Sequence, residues 1–387
     1  MASIGPRSKG YDVAVVGAGL IGLACAWRAA QRGLSVVVIE RGRADELPAG
    51  ASGVAAGMLA PVTEAEFGEE GLLRLNLASR ELWPGFAAEL EERTGRSCGY
   101  RESGALVVAA DRDDVEELRR LHGFQRSLGL DAEWLPPREC RRLEPALSPR
   151  VGGGILAPQD GHVDPRAVAG ALRAALEAVG AELRCGVEAQ AIEAEGGRVT
   201  GLRTSAGSFA AGAVVVAAGP WSAALAPEGA GPPVRPVKGQ LLELRVRRGF
   251  PDPVNRIVRT PRCYLLSRGD GRVVLGATVE ERGFDTAVTA DGVYRLLEAA
   301  WEVVPEVAEL ELVRARAGLR PGSPDNAPLI GAGEPDGIVW ATGHYRNGVL
   351  LTPITARAVA GLLAGDEPSP AVAGFGPERF AALEGVR

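Results

Sequence analysis

The stretch from Tyr11 to Glu40 constrains the fold more than any other, because it reads as one strand–helix–strand unit built around a dinucleotide-binding turn. Tyr11–Val16 is a short run rich in β-branched residues, and Gly17-Ala18-Gly19-Leu20-Ile21-Gly22 follows at once. Leu23–Gln31 is an Ala-rich helical stretch, and Ser35–Ile39 is a second apolar strand ending in Glu40. Gly17 permits the tight turn out of the strand, Gly19 lets backbone approach a pyrophosphate, and Gly22 lets the helix lie close on the sheet. The free N–H groups and dipole at the helix start favour phosphate charge. Glu40, on the second strand, is placed to accept hydrogen bonds from an adenosine ribose, and an acid there disfavours a 2′-phosphate and so NADP. A Gly-rich turn without a ligand is the plain alternative. The strand before, the helix after and the acid beyond together favour the dinucleotide.

At 387 residues the chain has length for two domains with sizeable cores. Charged residues make up 24 % and the net charge is −6, with no basic stripe of the kind that binds nucleic acid. Cys25, Cys98, Cys140, Cys185 and Cys263 are odd in number and scattered, and with His122, His162 and His344 they give no metal-ligand spacing. Thiols in a reducing cytoplasm fit that usage. Met1–Gly10 is polar and lacks the apolar core of a signal peptide, and runs such as Ala211–Ala218 are too short to span a bilayer. The expectation is a cytoplasmic protein with no metal, nucleic-acid or membrane partner.

Farther along, Ala49–Met58 is a loop of small residues that lets backbone pack against a flat or extended ligand; a plain surface loop is the alternative. Gly71–Arg93 has apolar residues at helical spacing, interrupted at Pro84. A strand at Ala105–Ala109 and a helix at Arg112–Leu128 open a second, α+β domain. Pro165–Val179 is helical and Glu182–Cys185 a strand, while Ala189–Glu195 and Arg198–Thr204 form a hairpin about Gly196-Gly197. Ala213–Ala218, closed by Gly219-Pro220-Trp221, returns the chain to the nucleotide domain. Val237–Val246, Cys263–Arg268 and Arg272–Ala277 alternate as antiparallel strands do. Gly337–Thr342 is a last strand, and Asn347–Gly365 opens a helix that tolerates Pro353 in its first turn. The expected architecture is α/β plus α+β: a Rossmann-like domain (1–75, 150–226, 323–387) interleaved with an antiparallel-sheet substrate domain (76–149, 227–322).

Four segments taken together, GAGLIG, VVVAAGPWS, AGLRPGSPDNAPLIG and GHYRNGVLLTPITA, resemble the FAD-dependent D-amino-acid oxidase family, and within it the glycine oxidase branch of thiazole biosynthesis. The resemblance covers roughly Asp12 to Ala364. The last segment is its most specific part and the GxGxxG its least. It implies FAD extended in the first domain, with the substrate over the flavin ring beneath the antiparallel sheet. Gly17, Ala18, Gly19, Leu20, Ile21, Gly22 and Glu40 match the FAD adenosine–pyrophosphate motif. Ser52 and Ala55, Ala56, Gly57 and Met58 match the loop along the pyrophosphate, ribityl and flavin. Val187 matches a backbone contact to adenine, and Gly219 follows the strand that closes the site. Arg346, Asn347, Gly348, Val349 and Leu350 match the segment at the flavin pyrimidine edge, where the start of the following helix would face charge developing on reduction. Tyr264 and Arg320 match the pair that holds the substrate carboxylate, with Arg346 assisting.

The chemistry suits those roles. Arg320 offers a planar fork that fixes a carboxylate in rotation as well as position, and the Tyr264 phenol donates a further hydrogen bond. An amine bound in neutral form needs no protein base for hydride transfer, so no catalytic base is assigned, and His344 reads as structural. Related sarcosine oxidases tether FAD through a cysteine in the region of Arg316–Ile330. None lies there, so FAD is expected to be non-covalent. Arg262, where comparable glycine oxidases carry His, puts an extra cation near the entrance, and Val279 is a candidate for the pocket wall. The resemblance implies oxidation of glycine and small amines such as sarcosine by oxygen, yielding glyoxylate, ammonia and hydrogen peroxide, with glycine imine feeding thiazole synthesis. It also implies a homotetramer. A D-amino-acid oxidase or dehydrogenase for bulkier substrates is the alternative, and a non-catalytic FAD-binding protein a remote one.

Overall fold

The computed structural model describes residues 10–46, 48, 50–226 and 231–380. Ala49 of the small-residue loop, most of the Met1–Gly10 terminus and the outer ends of the expected domain ranges lie outside the described residues.

The first sheet grows from the strand–helix–strand unit. Tyr11–Val16 pairs in parallel with Val36–Glu40 on one side and Gly207–Val216 on the other. Glu182–Cys185 and Ile338–Thr342 extend it in parallel, and Leu329–Gly333 closes one edge antiparallel. Both faces of its centre are covered, which explains the uninterrupted apolar runs. Val13, Val15 and Val38 face a core shared with the helices Leu20–Gln31, Glu70–Thr94, Pro165–Ala178 and Thr352–Leu363. Ala14, Val16, Val37 and Ile39 face the other way, toward Val199 and Leu202 of the hairpin. This is the two-residue alternation of a strand in its simplest form.

The second sheet runs Glu311–Gly322, Arg235–Arg245, Arg272–Gly276, Tyr264–Ser267, Ile257–Arg259, Ala105–Val108, Gly154–Ala157, Glu133–Leu135. It is antiparallel except where Ile257–Arg259 meets Ala105–Val108. Leu242, Leu244, Leu265, Val273 and Leu275 pack on one face against Leu296, Ala299, Ala300 and Val303 of the helix Ala290–Val303. The other face carries Ala105, Leu241, Leu266 and Val274 toward Ala56 and Met58 of the small-residue loop.

Three expectations about helices are corrected, and two about domain membership are revised as a proposal. The helix Glu70–Thr94 runs through Pro84 without a break. Pro84 and Gly85 lie on its exposed side, where water can reach a freed carbonyl, while Trp83, Phe86 and Leu90 anchor the buried side. That buried side belongs to the first core, although most of the helix lies in the range expected for the substrate domain. Conversely, Gly154–Ala157 lies in the range expected for the nucleotide domain but is hydrogen-bonded to Ala105–Val108 in the second sheet. We therefore propose domain limits that follow sheet and core membership at these two places. The last helix begins at Thr352, not Asn347, and the first begins at Leu20, inside the glycine motif. Among the described residues no helix is long and apolar enough to cross a membrane.

Candidate active site

Between the two sheets lies a cavity of about 600 Å³, within the usual range for a ligand site. The glycine turn forms one end. Gly17 has φ +104°, and an added Cβ would press on Ala217 O; at Gly22 a Cβ would collide with Gly17 O. The steric reasons read from the sequence thus apply to both glycines. Glu40 is buried and bridges the turn: one carboxylate oxygen accepts from Ala18 N–H at 2.7 Å and the other from Gly42 N–H at 2.7 Å. Its carboxylate orders the loop as well as lining the cavity. Ser52 Oγ accepts from Leu20 N–H at 3.1 Å, tying the small-residue loop to the helix start.

Of the residues expected at a cofactor, Gly17, Gly19, Leu20, Ile21, Glu40, Ser52, Ala55, Ala56, Gly57, Met58, Gly219, Arg346, Gly348 and Val349 line this one cavity. Ala18, Gly22, Val187, Asn347 and Leu350 do not. They support it from behind. Val187 N–H donates to Glu40 O at 3.0 Å, and Asn347 O accepts from Leu351 N–H at 2.8 Å. Leu350 O accepts from Ser79 Oγ at 2.7 Å and Trp83 Nε1 at 2.9 Å, which pins the segment from the helix beneath.

At the opposite end the second sheet presents the candidate carboxylate ligands. Arg320 and Tyr264 stand on strands separated by two others in the sheet. The two intervening strands carry glycine where those side chains cross. A Cβ at Gly239 would collide with the Arg320 guanidinium, and a Cβ at Gly276 with the Tyr264 hydroxyl. The missing side chains open a trough in which both polar ends sit. Arg320 Nη1 donates to Thr278 O at 3.0 Å and Lys238 O at 3.3 Å. Among the described residues its Nε and Nη2, and the Tyr264 hydroxyl, have no acceptor. An edge of one guanidinium and one phenol therefore remain as donors in a half-buried trough that lines the cavity, the set a carboxylate satisfies. Burial, partly opposed by the Arg320 charge, pushes the Tyr264 phenol up to about 12, so it holds its proton at neutral pH.

Three expected residues sit differently. Arg346 lines the cavity, but its guanidinium is tethered through Nη2 to Glu66, so only its other nitrogens are left for a carboxylate alongside Arg320. Arg262 is ion-paired with Glu302 on the outer helix and does not line the cavity. Val279 is exposed and Ala277 takes the wall position. His344 is buried at the cavity edge, with Nε2 3.0 Å from Thr355 Oγ1, and burial pushes its pKa down to about 3.

Other lining residues were not legible beforehand. Arg41 lies 3.6 Å over the Trp221 ring, and both line the cavity. Glu64 lines it too, 3.4 Å from Arg259. Arg268 is buried and donates to Ala56 O and Val163 O, fixing the loop that walls the cavity. Alternation from Tyr264 through Leu266 to Arg268 is the one sequence signal for its inward direction.

The residues present fit a flavin dinucleotide. Gly19 N–H at the helix start, and Gly348, Val349 and Leu350 N–H before Thr352, have no acceptor among the described residues. Gly19, Gly348 and Val349 line the cavity, so their amides are donors at two separated places in it. No cysteine lines it.

Comparison with known proteins agrees. Residues 12–362 match the DAO family model, described as FAD dependent oxidoreductase. The chain is 37 % identical over 381 residues to a glycine oxidase of Geobacillus kaustophilus, covering 97 % of this chain and 99 % of that protein. The crystal structure of glycine oxidase from that organism superposes with a TM-score of 0.88 at 36 % identity, covering 95 % of this chain and 98 % of the other. A bifunctional protein ThiO/ThiG of Synechocystis is 37 % identical over 373 residues, 95 % of this chain. The chain spans about half, 54 %, of that relative's length. With the interleaved sheets and the cavity between them, these findings make the chain a member of the DAO family of FAD-dependent oxidoreductases.

Proposed function

We propose that this protein is an oxidase of glycine and of small amines such as sarcosine. Its products are glyoxylate, ammonia or methylamine, and hydrogen peroxide, and its glycine imine supplies thiazole synthesis. The observation that carries this reading is the trough over Gly239 and Gly276, where a half-buried Arg320 keeps a free guanidinium edge beside an unpartnered Tyr264 phenol. Those donors would bind the amino-acid carboxylate and fix the rotation of the rest of the molecule, so that catalysis rests on orientation. Gly17, Gly19, Ser52, Glu40 and the Gly348 and Val349 amides would hold FAD non-covalently, with Leu350 fixing that segment from behind. Bound there, FAD would accept a hydride from the amine carbon and pass two electrons to oxygen.

No side chain is assigned as a base. His344 is too weak a base to take a proton near neutrality, and an amine that enters neutral needs none. Arg346, held by Glu66, is assigned to the wall of the site instead of the clamp. The likeness to glycine oxidase and to ThiO/ThiG supports the choice of substrate and its link to thiazole. The test is a substrate panel with peroxide and oxo-acid both quantified. Glycine and sarcosine are expected to give the highest kcat/KM. A clear preference for D-proline or larger D-amino acids would replace the assignment with a D-amino-acid oxidase.

A further inference from the structure

Only two of the 43 basic side chains in this sequence are lysine, Lys9 and Lys238. Lys238 is fully buried, the rarest setting for that residue. Its surroundings are specific. Nζ lies 2.8 Å from Asp285 Oδ2 and 3.8 Å from Glu280 Oε2, and its backbone exchanges two 2.9 Å hydrogen bonds with Glu280. Two residues on, buried Gln240 grips the same segment. Its Nε2 donates to Glu280 Oε1 at 2.7 Å and Thr289 Oγ1 at 2.9 Å, and its Oε1 accepts from Thr289 N–H at 2.9 Å. One strand thus holds Thr278–Thr289, a stretch with almost no regular structure, at both its ends and its middle. What the segment carries inward is the Thr278 carbonyl, one of the two acceptors that fix Arg320 Nη1; the other is the Lys238 carbonyl itself. Thr278 is in turn held by its hydroxyl, which accepts from Gln240 N–H at 2.8 Å and donates to Glu280 at 2.6 Å.

We infer that Lys238 is a positioning residue: through Asp285 and Glu280 it clasps the 278–289 strap, so that Thr278 O and Lys238 O aim the free edge of Arg320 at the substrate carboxylate. The inference rests on the carboxylate-clamp reading above and adds what sets its direction. A compact ammonium meets two carboxylates from one buried point, where a planar guanidinium would need more width and fixed angles. The chain's general use of arginine makes this exception informative.

The experiment uses purified holoprotein and acetate as a carboxylate probe, read by perturbation of the flavin spectrum, beside steady-state kinetics with glycine. Lys238→Met keeps the stem and removes the charge. It is expected to raise the acetate dissociation constant and the glycine KM together, by about tenfold, with kcat changed less than threefold and FAD content unchanged. Asp285→Asn, at the half-exposed end of the bridge, is expected to shift the same two constants by about threefold, and decides the matter if Lys238→Met does not fold. Unchanged acetate binding in a folded, flavin-replete variant overturns the inference, as does a loss of kcat and FAD with KM unmoved. Arg320→Ala separates the two readings. If wild-type protein takes up no acetate, or Arg320→Ala takes it up equally well, the clamp itself is wrong and Lys238 falls with it. Acetate binding that depends on Arg320, in a protein that does not oxidise glycine, removes only the glycine assignment.

Discussion

At the scale of single residues, the candidate site depends as much on absent side chains as on present ones. Arg320 and Tyr264 were paired on the family resemblance and line the same cavity, but the glycines that make room for them were not legible. A glycine inside a strand ordinarily signals only a weak or bulged position. Gly276→Ala is therefore predicted to act like Tyr264→Phe, because the new methyl displaces the phenol. Both should raise the glycine KM about fivefold, the worth of roughly 1 kcal/mol in one hydrogen bond; wild-type KM in Gly276→Ala would contradict the account. The Tyr264 phenol also carries a pH prediction. Its pKa in the folded protein, about 12, lies above the ordinary value near 10, so its contribution to stability is complete below pH 10 and is lost as pH rises toward 12. Ultraviolet titration should show this tyrosine ionising after the exposed Tyr294 and only with onset of unfolding. Arg262 and Val279 mark the limit of reading residue by residue. Which way a side chain leaves a turn depends on partners such as Glu302 that lie far off in sequence.

Elements were legible where local pattern and tertiary burial agree. The Val-rich central strands and the Gly196-Gly197 hairpin stand as read, because their patterns already reflect which faces are covered. The continuous helix Glu70–Thr94 was not legible, since Pro84 breaks the local rule and only packing of Trp83, Phe86 and Leu90 overrides it. Pro84→Ala restores a backbone donor on the exposed side and is predicted to stabilise the protein by about 1 kcal/mol in urea unfolding, less than the full helix-interior penalty because proline also restrains the unfolded chain. A destabilised Pro84→Ala protein would mean that the helix needs a bend there. The start of the last helix was misplaced for a related reason. Residues 348–351 form a turn before Thr352 in which the Gly348, Val349 and Leu350 amides are free, and composition does not distinguish a turn from a first helical turn.

For the whole molecule, the interleaving of two sheets was legible from the order of strand types, while membership of Gly154–Ala157 was not, because pairing with Ala105–Val108 is non-local. Asp164 is among the residues that link the two halves. Asp164 caps the helix Pro165–Ala178, accepting from Arg166 N–H at 3.0 Å, and pairs at 2.7 Å with Arg272 of the second sheet. Burial alone would raise its pKa, but Arg268 and Arg272 outweigh burial and hold it below the usual carboxylate value. A depressed pKa contributes stability above the unfolded value that is lost as pH falls through the folded one. Asp164→Asn is predicted to cost about 2 kcal/mol at pH 7 and to converge with the parent in strong acid; a constant difference across pH would refute the ion-pair account. The central claim concerns the molecule as an enzyme, and anaerobic mixing with glycine followed by air tests it most directly. The account predicts that glycine bleaches the flavin absorbance with one glyoxylate formed per flavin, and that air restores the colour with one hydrogen peroxide. A flavin bleached only by bulkier D-amino acids, or bleached by glycine but not restored by air, would contradict it.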